Sequence, residues 1–94
     1  MTKAEVIAEI ANETGVGRVA VKETVEAFMD SIKESLIRGE NVYLRGFGSF
    51  IIKKRAKKTG RIISKNTSVI IPAHNIPAFK PAKIFTDEVK TKVR

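Results

Sequence analysis

Apolar residues recur every three or four positions over the first forty residues, and beyond residue 41 they come in short runs and alternations. The first pattern is helical and the second belongs to strands. Thr2-Lys3-Ala4-Glu5 fits a capping box, in which the Thr2 hydroxyl accepts from the Glu5 N–H and Glu5 reaches back. Val6, Ile7, Ile10 and Ala11 follow as an apolar stripe, and Gly15 and Gly17 end the helix. A second helix is predicted over residues 18–38, with Val21, Val25, Phe28, Met29, Ile32 and Leu36 on one face. Glu23, Glu26, Asp30, Lys33 and Glu34 take much of the other face, and Gly39 stands where a left-handed residue closes a helix. One short helix cannot cover so long a stripe. Part of it is expected in the chain's own core and part in a dimer seam.

After Gly39, Val42-Tyr43-Leu44 predicts a short strand and Gly46-Phe47-Gly48-Ser49-Phe50 a tight turn. Phe50-Ile51-Ile52 opens a second strand that runs on into basic residues. A return strand is expected from near Thr67 through Val69, Ile70 and Ile71, leaving residues 59–66 as a loop or hairpin tip. Pro72 and Pro77 each remove an amide donor, so the return strand should be an edge or locally unpaired. Pro81 suits the first turn of a last helix, whose buried side would be Ile84, Phe85 and Val89.

Ninety-four residues suffice for one domain with a marginal core. There is no cysteine, hence no disulfide and no thiolate metal site, and His74 is the only histidine. No metal site or cofactor is expected. No apolar run approaches the roughly 20 residues that span a bilayer, and no signal peptide is evident. A cytosolic protein is the expectation.

Charge changes the picture most. Residues 1–40 hold five bases and eight acids; residues 41–86 hold ten bases and no acid. The ten are Arg45, Lys53, Lys54, Arg55, Lys57, Lys58, Arg61, Lys65, Lys80 and Lys83. Strand alternation would put Lys53, Arg55 and Lys57 on one face and Lys54 and Lys58 on the other. Charge on both faces leaves this stretch nothing apolar to pack on, and an isolated two-stranded ribbon is barely stable in water. A solvated strand, its lysines blocking edge pairing, is the plain explanation. Soluble surfaces mix both signs, however, and this one does not. A polyanion such as nucleic acid fits better than a membrane surface, which a basic amphipathic helix would suit.

Ile62 and Ile63 stand among these bases, far from any expected core. Architectural DNA-binding proteins push apolar wedges, isoleucine included, between base steps. Alternatively the pair packs across the ribbon or marks an aggregation-prone edge. The glycine-rich turn is neither a Walker A loop nor a dinucleotide fingerprint, and Phe47, Phe50 and Phe79 read as core anchors.

Three motifs in order, Gly46-Phe47-Gly48-Ser49-Phe50, Arg55-Ala56-Lys57-Lys58-Thr59-Gly60-Arg61 and Asn75-Ile76-Pro77-Ala78-Phe79-Lys80-Pro81, resemble the bacterial HU / integration host factor family. The resemblance covers essentially the whole chain. It implies an α+β fold in an intertwined homodimer: an N-terminal two-helix base, an antiparallel β-sheet saddle, a long β-ribbon arm and a short C-terminal helix. Residues 1–94 would then be one DNA-binding domain. Residues 1–40 would form the dimerisation base, 41–80 the sheet with an arm at about 53–72, and 81–94 the last helix. The dimer core would include Phe28, Phe47, Phe50 and Phe79. The family's Arg-Asn-Pro arm tip is replaced by Arg61-Ile62-Ile63, which puts Ile63 where the intercalating proline sits. Lys65-Asn66 replaces the Thr-Gly turn, and asparagine tolerates its left-handed conformation.

The expected function is architectural binding of duplex DNA through the minor groove with little sequence preference, bending and compacting it in the bacterial nucleoid. Bent, nicked or junction DNA should be preferred over straight duplex, and a paralogous subunit is a possible second partner. Lys3, Arg45, Lys53, Lys54, Arg55, Lys57, Lys58, Arg61, Lys65, Lys80 and Lys83 would meet phosphates or the groove, and Ile63 would be the wedge. A site-preferring bending factor is the nearest alternative. A basic RNA-binding protein is a further one, set back because all five phenylalanines are expected to be buried rather than free to stack on bases. A nuclease lacks acids in the basic half to hold a metal, and no catalytic residue is expected.

Overall fold

The computed structural model describes residues 1–62 and 67–93, and their side chains except at 61, 62 and 67–69. Among these residues the elements are α1 (Lys3–Thr14), α2 (Arg18–Ile37), β1 (Val42–Leu44), β2 (Gly48–Arg55), β3 (Lys58–Ile62), β4 (Thr67–Ile71), β5 (His74–Pro81) and α3 (Lys83–Lys92). The fold is α+β, and residues 1–35 and 36–94 form two compact units.

In the first unit, Thr2 caps α1 through its hydroxyl, which accepts from the Glu5 N–H at 3.3 Å. The Glu5 carboxylate returns to that hydroxyl rather than to the Thr2 backbone, also at 3.3 Å. Gly15 ends α1 at φ 75°, a left-handed conformation that costs glycine little, and its N–H bonds to the Ala11 carbonyl. Ile7, Val21 and Ile32 are buried. Val25 and Leu36 are half-buried, whereas Phe28 and Met29 of the same stripe stay exposed, Phe28 by 47 %. Two of the six residues of the predicted stripe are thus left exposed in the single chain.

The second unit is built on the antiparallel sheet β1-β2-β5. Its register explains the prolines. Phe50 pairs with Phe79, Ile52 with Pro77 and Gly48 with Pro81. The Ile52 N–H points away from β5, to the Asn41 side-chain oxygen at 3.1 Å. Ile52–Pro77 is therefore a pair without mutual hydrogen bonds, the kind a proline joins at no loss. Pairs two residues apart are alike, so Pro81 is accommodated in the same way. Pro77 lies on the edge strand, as expected. Pro81 does not begin the last helix: it ends β5, and α3 starts at Lys83 after Ala82, which gives no side-chain cap.

Residues 59–62, expected in a loop, belong to β3, which pairs with β4 from Lys58↔Ile71 to Ile62↔Thr67. Cross-strand pairing with the β-branched residues of β4 outweighs the turn character of Thr59-Gly60. The ladder breaks between Arg55↔His74 and Lys58↔Ile71. Pro72 falls in this break, opposite Ala56 and Lys57, so the alternation predicted through Lys57 and Lys58 does not carry across it.

Leu44, Arg45, Gly46 and Phe47 form a turn closed by the Phe47 N–H on the Leu44 carbonyl at 3.0 Å, with Gly46 at φ 81°. It brings Phe47 beside Phe79 (ring centroids 5.1 Å), Phe85 (5.7 Å) and Phe50 (6.5 Å), and Phe50 meets Phe79 at 5.0 Å. The cluster was legible for three of its rings; Phe85 from α3 is the fourth. In the single chain these rings are not all covered: Phe47 is 46 % and Phe79 39 % exposed. Ile84, Phe85 and Val89, expected on a buried side of α3, are also exposed.

Gly48 is required for space. A Cβ there would lie 2.6 Å from the Lys80 carbonyl oxygen and 2.6 Å from Cζ of Phe79. Gly48→Ala should destabilise the fold by about 1–3 kcal/mol, the usual range for overpacking. A thermal melt unchanged from the parent would refute this close approach.

Candidate nucleic-acid interface

Opposed residues of an antiparallel pair share a face, and alternate residues change face. Val42, Leu44, Phe50, Ile52 and Phe79 therefore share one side of the sheet with Pro77 and Pro81. The other side carries Tyr43, Ser49, Ile51, Lys53 and Arg55 from β1 and β2, and His74, Ile76, Ala78 and Lys80 from β5. One side thus meets the aromatic cluster, and the other presents Lys53, Arg55 and Lys80 to solvent, all exposed. With a rise of roughly 3.3 Å per residue, Lys53 and Arg55 stand about 7 Å apart on that face.

Lys54 pairs with Asn75 on the opposite side, though it too is exposed. Lys57 lies in the break of the ladder and Lys58 opens β3, both exposed. Arg61 sits in β3 opposite Ser68. Ile63 and Lys65 lie outside the described residues.

A second grouping forms at the end of the sheet. Arg45 from the turn, Lys80 from β5 and Lys83 from the start of α3 border one open depression of about 420 Å³, with Tyr43 and Ser49 alongside. The Ala82 N–H bonds to the Phe47 carbonyl at 2.9 Å, which ties the start of α3 to the turn that carries Arg45.

Lys3 belongs to the other unit, where its ammonium meets the Glu26 carboxylate at 3.4 Å. That pair is exposed, and such pairs contribute roughly 0–1 kcal/mol. The ion pairs among the described residues, Lys3–Glu26, Lys33–Asp30 and Arg38–Glu40, draw all their acids from residues 1–40. Phe28 is on α2 and makes no ring contact among the described residues.

Sequence reasoning missed the role of Asn41, whose side chain accepts from Ile52 and donates to the Tyr43 hydroxyl at 3.3 Å, extending the sheet past the end of β1. It also missed the placement of Tyr43, Ser49 and His74 beside the bases. Counting alternation outward from Phe50 would have found Ser49, but only the register places the residues of β1 and β5.

The family model for bacterial DNA-binding protein matches residues 1–90. The SPbeta prophage-derived DNA-binding protein HU 2 of Bacillus subtilis is 42 % identical over 92 residues, covering 98 % of this chain and 100 % of its own. DNA-binding protein HU of Thermus thermophilus is 39 % identical over 90 residues, covering 96 % of this chain and 93 % of its own. Among solved structures, the Anabaena HU–DNA cocrystal structure superposes with a TM-score of 0.88 at 31 % identity, covering all of both chains. HU from Thermotoga maritima gives 0.67 at 28 % identity, covering 95 % of this chain and 98 % of that one.

Proposed function

The chain belongs to the bacterial DNA-binding protein family, and on that premise we propose that it is an architectural protein that binds duplex DNA as a dimer, bends it and compacts it in the nucleoid. The observation that carries this reading is the two-sided sheet. One side holds a cluster of aromatic rings left partly uncovered, which a second copy would bury. The other side holds exposed cations with no acid between residues 41 and 86. Among the described residues no helix is long and apolar enough to cross a membrane.

Lys53, Arg55 and Lys80 on the outer face, with Lys54, Lys57, Lys58, Arg61 and Lys65 along the arm, would neutralise phosphates or enter the minor groove. Arg45 and Lys83 would hold phosphates at the end of the sheet, and Lys3 those that reach the helices. Phosphate contacts fix position without reading bases, which gives the low sequence preference. Phe28, Phe47, Phe50 and Phe79, joined by Phe85, would lie in the dimer interface. No part of this requires bond-making chemistry.

The break at Ala56-Lys57 and Pro72-Ala73 divides the arm into a base ribbon continuous with the sheet and an outer ribbon, β3–β4. Ile63 would act beyond that outer ribbon by entering a base step. Unstacking a step costs a few kcal/mol, which the added wrapped surface offsets. DNA already kinked, nicked or gapped escapes part of this cost and should bind more tightly.

Energy transfer between dyes at the two ends of a short duplex tests the bending. The parent should bring the ends together, and Ile63→Ala should reduce bending more than it weakens binding to straight duplex. Equal losses in both would count against the wedge; no approach of the ends with the parent protein would count against bending altogether.

A further inference from the structure

His74 is the only histidine, and it sits on the cationic side of the sheet, paired across the ladder with Arg55. Its Nδ1 lies 3.0 Å from the Pro72 carbonyl oxygen, which can only accept. Nδ1 therefore carries the proton, and this bond holds the ring across the break between the two parts of the arm. Nε2 is then the nitrogen that gains or loses a proton, and it has no partner among the described residues. The residue is exposed.

The charged residues on its side of the sheet are of one sign. Arg55 stands opposite on β2 and Lys53 lies diagonally on the same face. Lys57 follows in the ladder break, Lys80 is further along β5, and Tyr43 faces the same side from β1. No carboxylate occurs between residues 41 and 86 to neutralise them.

Resting on the DNA-binding reading above, we propose that His74 is a proton-linked contact to the phosphate backbone, taking up a proton on Nε2 when DNA binds so that affinity rises as the solution is acidified. Histidine is the side chain whose charge ordinarily changes between pH 5 and 8. A phosphate brought beside the ring favours imidazolium, because an opposite charge within about 4–6 Å stabilises the charged form. A group held in the charged form by the complex adds affinity below its bound-state range, and the addition is lost as pH rises through that range. Each unit by which the complex favours imidazolium strengthens binding about tenfold per histidine.

The test is duplex binding by fluorescence anisotropy at pH 8, 7 and 6 and fixed ionic strength, for the parent, His74→Gln and His74→Lys. The parent should tighten severalfold or more on acidification, His74→Gln should stay nearly level, and His74→Lys should bind tightly with little pH dependence. A proton NMR titration of the single imidazole, free and bound, should show the ring retaining its proton to higher pH in the complex. Parallel profiles for the parent and His74→Gln, or an imidazole that titrates alike free and bound, would overturn the proposal while leaving DNA binding intact. Absence of binding at every pH would overturn the DNA-binding reading and the proposal together.

Discussion

Phe47→Asp should abolish the dimer. In a single chain Phe47 meets three other rings and is still 46 % exposed. The proposed dimer would place the uncovered part of this ring against the partner. A carboxylate there would sit among phenylalanines, where an ionised group without a partner costs several kcal/mol. The three ring pairs add roughly 0.5–1.5 kcal/mol each, and they would be lost as well. Small domains have a net stability of about 5–15 kcal/mol, so the combined penalty takes most or all of it. Sedimentation should show monomer, with loss of helical circular dichroism if the monomer cannot stand alone. Phe47→Leu keeps most of the apolar volume and should remain dimeric, with a lower melting temperature. A fully dimeric, folded Phe47→Asp protein would refute the interface.

Neutralising the outer face should have an effect of similar size on binding. In the combined variant Lys53→Gln, Arg55→Gln and Lys80→Gln, each dimer loses six cations from the side opposite the aromatic cluster. Every phosphate contact removed should lower the slope of log affinity against log salt by about 0.9. Affinity near physiological salt should fall by about a thousandfold, since this term supplies nearly all of non-specific binding. Lys54→Gln, on the other side of the same strand, should change the slope less than any one of the three. The fold should survive, because all three side chains are exposed and lie on the side of the sheet opposite the rings. Unchanged binding by the combined variant would remove the face from the account, and a larger effect from Lys54→Gln would reverse the assignment of sides.

The helices were legible because their signals are local. A Thr2 cap, apolar residues three and four apart, and glycines at Gly15 and Gly39 need no distant partner to be read. The strands were legible from runs such as Phe50-Ile51-Ile52 and Val69-Ile70-Ile71, but their pairing was not. Register depends on contacts between residues that are not neighbours along the chain, and it alone puts Pro77 and Pro81 in pairs that need no amide donor. It also extends strand β3 into Thr59-Gly60, which looks like a turn when read by itself.

The site divides in the same way. Its cations could be found by counting charge along the chain. Which of them share a surface could not be settled beyond Arg55, because the break at Ala56-Lys57 interrupts the alternation. The aromatic residues show a different limit. Hydrophobicity says that Phe28, Phe47 and Phe79 should be covered, but it does not say by which chain. Their exposure in the single chain turns a statement about a core into one about a partner.

The central claim is that an exposed, acid-free face grips the DNA backbone and an arm bends what it holds. Titrating straight and nicked duplexes of one sequence with the parent protein at two salt concentrations tests it most directly. Both affinities should fall steeply as salt rises, with a slope of about 0.9 for each phosphate contact, and the nicked duplex should bind more tightly at both concentrations. A flat salt profile, or equal affinity for straight and nicked DNA, would contradict the account.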